Sequence, residues 1–196
     1  RFIKADVLDL ETLTASMEGS DVVFHLTANQ DLRVALEDTS VDMYQETVAT
    51  YNVLEAMRRN GVNKIVYTSS GTVYGDTPVI PIPETYGPTH PISLYGAGKL
   101  AGEALITAFC HTFEMQAWMY RFANIIGPRA THAVMYDFIN KLTIDPKQLE
   151  ILGDGTQERP FLHVVAPQLP HFRVVQHRAP VPQAEHDRLH GRAQQF

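Results

Sequence analysis

Tyr95 and Lys99 sit four positions apart, which places both side chains on one face of a helix, one turn from each other. A free tyrosine titrates near ~10 and is a poor base at neutral pH, whereas an ammonium beside it favours the phenolate. Each unit of depression is worth about 1.4 kcal/mol, so a phenol poised near neutrality needs several kcal/mol of such help. Alone, the pair is a weak signal and reads more readily as a surface tyrosine beside a solvated lysine. Its surroundings decide between the two. Upstream runs Thr68-Ser69-Ser70-Gly71-Thr72-Val73-Tyr74-Gly75, at the end of an apolar stretch. A hydroxyl at a strand end, joined by a Tyr/Lys helix, gives three groups that converge on one carbonyl or alcohol. Ser70 takes the chemical role, and Ser69 that of a turn former.

Four apolar runs supply the elements: Phe2 to Val7, Val22 to Leu26, Ile65 to Ser70, and about Gln116 to Phe122. The second is almost continuously apolar, as expected of a strand covered on both faces. Helical patterns lie between them. Val48, Tyr51, Leu54 and Met57 recur at three-residue steps before an Asn60-Gly61 stop. Leu94, Ala97, Ala101, Ala104, Leu105 and Ala108 mark a second helix, with Ser93 as its N-cap. Alternating strands and helices predict an α/β fold with a doubly wound parallel sheet. Ligands of such sheets bind beyond the carboxyl ends of the strands, where Ser70 lies. Pro78, Pro81, Pro83, Pro88 and Pro91 make residues 75–91 a loop. Gly96, Gly98 and Gly102 weaken the Tyr/Lys helix unless something approaches it closely. His25, inside an apolar run, reads as a satisfied core histidine, and Cys110 as a small packed residue.

Composition excludes several classes. The chain of 196 residues is 44% hydrophobic and 19% charged, the composition of a folded globular protein. A net charge of -6 and a pI of about 5.8 argue against a nucleic-acid partner. No apolar run reaches the ~18–20 residues of a membrane span. Cys110 is the single cysteine, which excludes an intrachain disulfide and a cysteine metal cage and fits a reducing, cytoplasmic compartment. The chain opens inside an apolar run, as though an element preceded it. From Val165 onward it carries Pro167, Pro170, Pro180 and Pro182, with His171, His177, His186 and His190, and no sustained period. Residues 165–196 are therefore expected to be a poorly ordered tail, and 1–164 a partial dinucleotide-binding domain with the start of a substrate-binding region.

Four blocks in order, SSGTVYG, HPISLYGAGK, YRFANIIGPR and ILGDGTQERPFLHV, resemble the extended short-chain dehydrogenase/reductases, the NAD-dependent epimerase/dehydratase group. The likeness is greatest to its UDP-glucose 4-epimerase branch. It implies a Rossmann-like fold, incomplete here, with NAD as cofactor and a UDP-hexose as substrate. Tyr95 is then the catalytic base, Lys99 its pKa-lowering partner and ribose ligand, and Ser70 the hydroxyl partner of the sugar. Asp6 and Val7 match the pair that touches adenine, and Leu26, Thr27 and Ala28 the strand end under the dinucleotide. Asn124 matches a substrate-binding asparagine and Arg159 the arginine that holds the diphosphate, with Arg129 a weaker second. The resemblance also implies a homodimer through the Val48–Met57 helix and the Tyr/Lys helix.

The 4,6-dehydratase branch carries an Asp-Glu pair after the catalytic hydroxyl; Gly71 and Thr72 stand there, which leaves epimerisation by transient oxidation to a keto-sugar. An NAD(P)-dependent reductase on the same scaffold and a non-catalytic fragment are the competing readings. Three departures from the family's pattern bear on them. The chain lacks the G-x-x-G-x-x-G turn that lets a pyrophosphate approach a helix N-terminus. Glu46 stands where the family usually has an asparagine contacting NAD, and repels a diphosphate unless it turns away. His163-Val164 leads into the proline-rich tail where the family continues with an acidic residue and a helix.

Overall fold

Gly61 takes the left-handed conformation, φ 67°, that ends the Val48–Met57 pattern, and Ser93 Oγ accepts from Gly96 N at 3.0 Å to start the Tyr/Lys helix. Both stops lie where residue chemistry placed them. The computed structural model describes residues 1–29, 34–131, 133–151, 153–156, 158, 160–164 and the strand Val175–His177. Its helices are α1 (Leu10–Ser16), α2 (Val34–Glu37), α3 (Ser40–Asp42), α4 (Ala49–Asn60), α5 (Leu94–Phe113) and α6 (Val134–Ile144). A π-helical stretch, Met43–Val48, joins α3 to α4. The strands are β1 (Val23–His25), β2 (Lys64–Ser70), β3 (Gln116–Phe122), β4 (Asn124–Ile126), β5 (Phe161–His163) and β6 (Val175–His177).

The described residues form two compact units, 1–121 with the strand Val175–His177, and those between 122 and 164. In the first, the sheet runs in the order β1-β2-β3-β6. β1 pairs parallel with β2, His25 opposite Tyr67, and β6 pairs antiparallel with β3. No periodicity announced β6; the rest of the expected 165–196 tail lies outside the described residues. In the second unit β4 and β5 pair in parallel, Asn124 opposite Phe161. No helix among the described residues is long and apolar enough to cross a membrane.

Along β2 every second residue is buried: Ile65, Tyr67 and Ser69 face inward, and Val66, Thr68 and Ser70 are half-exposed. Leu54 and Met57 of α4 and Ile106 and Cys110 of α5 close over the inward face, each at most 3% exposed. This is one helical layer of an α/β fold, and it includes the packed cysteine that the sequence predicts.

Two expectations fail here. Phe2 to Val7 forms no strand: Phe2 is 91% exposed, and an apolar run with no neighbouring strand has nowhere to place its backbone hydrogen bonds. The Val22–Leu26 run is not covered on both faces, because Phe24 and Leu26 are each 63% exposed. The α4 and α5 layer covers only the face that carries His25.

Candidate active site

β2 ends in Ser70, whose hydroxyl accepts from Thr72 N at 3.2 Å and caps the short 3-10 turn Gly71–Tyr74. The carboxyl edge of the sheet thus presents a fixed hydroxyl. Tyr95, in the first turn of α5, reaches the same edge, near enough to Ser70 for that hydroxyl to act on its phenol. Lys99 follows one turn later, and its Nζ lies 5.7 Å from the Tyr95 ring centroid. The structure therefore brings Ser70, Tyr95 and Lys99 to one place. Ser69 points the other way and is buried, donating to Glu103 Oε1 at 2.5 Å.

The electrostatics run against the simple expectation. Lys99 is 1% exposed, and its Nζ donates to the Thr68 carbonyl at 3.0 Å. It also stands 2.9 Å from Glu46 Oε2, an ion pair at an angle poor for a hydrogen bond. Glu46 has turned inward, so its charge is held by Lys99 and does not face solvent. Tyr95 is pushed up to about 12, first by burial and then by the Glu46 charge, against the influence of the nearby Ser70 hydroxyl. The Lys99 ammonium is thus engaged by Glu46 as well as facing the phenol ring.

Sequence reading missed most of this polar floor. Asn29 N donates to Glu46 Oε1 at 2.8 Å, and Asn29 Nδ2 to Asp42 Oδ1 at 2.8 Å. Thr50 donates to the Glu46 carbonyl at 2.5 Å, so the His25 Nε2 contact of 3.0 Å makes the imidazole the donor to Thr50. His25 is the satisfied core histidine expected, held down at about 4 by burial and then by Lys99. The available signal was Asp42, Glu46 and Thr50 at four-residue spacing, opposite the glycines of α5. A Cβ on Gly98 would stand 2.6 Å from Glu46 Cβ, and one on Gly102 2.5 Å from the Tyr67 hydroxyl. The three-glycine pattern records that close approach.

Leu26 and Thr27 are exposed and Ala28 half-buried; they continue β1 beside the end of β2 as an open ledge. Asp6 is exposed, and its Oδ1 accepts from Leu8 N at 2.9 Å. The Val7 carbonyl accepts from Asn52 Nδ2 at 3.1 Å, which ties the first residues to α4. In the second unit, Asn124 Nδ2 donates to the Pro160 carbonyl at 3.2 Å, and Arg129 is exposed with φ 67°. Arg159 lies outside the described residues. No cluster of His, Cys, Asp or Glu fit for a metal occurs among the described residues.

A sheet with a helical layer and a Ser/Tyr/Lys group at its carboxyl edge defines a Rossmann-type α/β protein. The model of the NAD dependent epimerase/dehydratase family matches residues 1–178, and the chain belongs to that family. It is 32% identical over 168 residues to a UDP-glucose 4-epimerase of Mycolicibacterium smegmatis, covering 83% of this chain and 53% of that one. A GDP-mannose 3,5-epimerase of Arabidopsis thaliana is 30% identical over 175 residues, covering 83% and 46%. Among solved structures, a UDP-galactose 4-epimerase superposes with a TM-score of 0.72 at 42% identity, covering 81% of this chain and 50% of that one. MoeE5 in complex with UDP-glucose and NAD gives 0.74 at 31% identity, covering 83% and 54%. The chain spans about half the length of the curated relatives it matches.

Proposed function

We propose that this chain carries the acid-base centre of a cytoplasmic, NAD-dependent nucleotide-sugar 4-epimerase acting on UDP-glucose and UDP-galactose. The observation that carries the reading is the meeting of Ser70 and Tyr95 at the sheet's carboxyl edge, one turn from Lys99. The residues present are compatible with the cofactor: the ledge of Leu26, Thr27 and Ala28 is open, and the Asp42 and Glu46 carboxylates beneath it are each 1% exposed. In this reading those ledge residues, with Asp6, Val7, Tyr95 and Lys99, hold NAD. When bound, NAD supplies a reversible acceptor for the hydride of the sugar carbinol. Tyr95 Oη exchanges the hydroxyl proton of that carbinol, and the Ser70 hydroxyl orients the sugar beside it. Tyr95 Oη would return that proton to the sugar oxygen when the carbon is reduced on its other face, so the centre would be inverted with no net oxidation. Asn124 and Arg159 bind the nucleotide sugar.

A homodimer through α4 and α5 belongs to the same proposal. Tyr51 and Phe113, 44% and 43% exposed, lie on either side of Phe109 in an aromatic row along those helices.

The test uses residues 1–164 completed with the family's glycine-rich segment and C-terminal part. Incubated with NAD and UDP-galactose, that protein is expected to form UDP-glucose without net absorbance at the nicotinamide band. Stoichiometric NADH would support the reductase instead. Absence of any conversion by a completed protein that binds NAD would overturn the proposal.

A further inference from the structure

Asp42, Glu46 and Thr50 form a buried polar stripe, each at most 1% exposed. Glu46 sits in the π-helical stretch, and such widened turns re-aim a side chain where function needs it. Gly98, lacking a Cβ, lets α5 come down onto this stripe. The result is an ion pair, Lys99 to Glu46 at 2.9 Å, with side chains 1% and 0% exposed. Several titratable or charged groups face the pair from every packed element. Asp42 lies one turn before Glu46 and raises it by its charge. His25 comes from β1, and Tyr67 from β2 with its ring 5.0 Å from Nζ. Tyr95 lies on α5, and Glu103, further along that helix, acts on Tyr67.

We propose that Glu46 is a positioning residue, which holds the Lys99 ammonium in a buried ion pair and so keeps Tyr95 a phenol until further positive charge reaches it. The proposal rests on the reading of Tyr95 as the proton-exchanging group. An ammonium 5.7 Å from a phenol ring favours phenolate only while its own charge is uncompensated. Glu46 compensates it, and also adds a negative charge that opposes ionisation of Tyr95. A neutral side chain at position 46 would free Lys99 to act on the phenol. Asn29 N could still donate to a glutamine Oε1, so Glu46→Gln removes charge with little change of shape.

The experiment is a carbon NMR titration of the chain labelled at tyrosine Cζ, with Tyr95→Phe assigning the resonance. An uncompensated opposite charge at this range lowers a pKa by about one unit or more, so Glu46→Gln should show roughly tenfold more Tyr95 phenolate at pH 10.5. Glu46→Asp, which keeps the charge, should resemble the parent. An unchanged phenolate fraction in Glu46→Gln overturns the proposal. If that variant does not fold, Glu46→Asn replaces it with the same expectation. Should both fail, the parent decides: Tyr95 more than half ionised at pH 10.5 overturns the proposal, and Tyr95 still a phenol supports it. The titration uses no cofactor and no sugar, so it can succeed while the epimerase assay fails, or fail while that assay succeeds.

Discussion

Two buried glutamates each meet one cation, and they are built differently. Glu103 of α5 takes a two-pronged contact from Arg121 of β3, Nε to Oε1 at 2.9 Å and Nη2 to Oε2 at 2.7 Å, and also accepts from Ser69. Arg121 further donates to the Glu84 carbonyl at 3.4 Å and lies 4.7 Å over the Tyr74 ring. Its charged form is favoured above all by Glu103. Glu46 meets Lys99 by a single contact, with a second carboxylate nearby, and burial raises it above the usual carboxylate range in spite of the lysine. The first arrangement satisfies its charges and ties the 71–91 loop to the sheet. The second leaves the charge balance delicate, one helical turn from Tyr95. A protein gains rigidity from the first kind of pair and a tunable electric field from the second.

The largest effect on stability is expected from Arg121→Met, which leaves the Glu103 carboxylate buried without its cation. Breaking a buried pair in this way costs about 4 kcal/mol. Urea denaturation at neutral pH measures it, and a loss below ~1 kcal/mol would erase the difference between the two pairs.

His25 borders the Glu46 network and gives the next effect. Its folded value of about 4 lies below the ordinary 6.5. Between these values the unfolded chain takes up a proton that the folded chain refuses, so stability falls as pH drops from 6.5 and levels off below about 4. The full fall is about 3 kcal/mol. His25→Gln should lack this component, and parallel urea titrations over that range compare the two. Identical pH dependence would mean that His25 is not held neutral.

The smallest effect is expected from Glu46→Gln at neutral pH. A carboxyl whose folded pKa is raised destabilises the fold once ionised above that value, so removing its charge relieves the fold. The exchange also leaves the buried Lys99 ammonium without its counter-charge, but the Thr68 carbonyl still accepts from it, so the net change should be smaller than that of Arg121→Met. A loss near 4 kcal/mol would make the two pairs alike.

Much of this was legible in residue types and spacing. Leu54 and Met57 at three-residue steps, Gly61 after them, and Ser93 before Leu94 act through local geometry and self-contained caps, which a sequence displays directly. Tyr95, Lys99 and Ser70 were legible because a four-residue helical spacing and a strand end leave little freedom. Glu46 was readable only as a departure from a pattern, since its partner depends on how closely α5 packs. Gly98 carried that information, but a glycine names no neighbour. Phe2 to Val7 misled for the opposite reason: an apolar run describes a strand's needs and not the partner that would meet them.

The central claim is that Tyr95 exchanges the proton of the sugar hydroxyl. Its most direct test is the turnover of Tyr95→Phe in the completed protein, with UDP-galactose and NAD supplied. Loss of a positioned acid-base group should lower kcat by at least ~10²-fold while the fold and NAD binding persist. Turnover close to that of the parent would assign the proton transfer to another group and contradict the account.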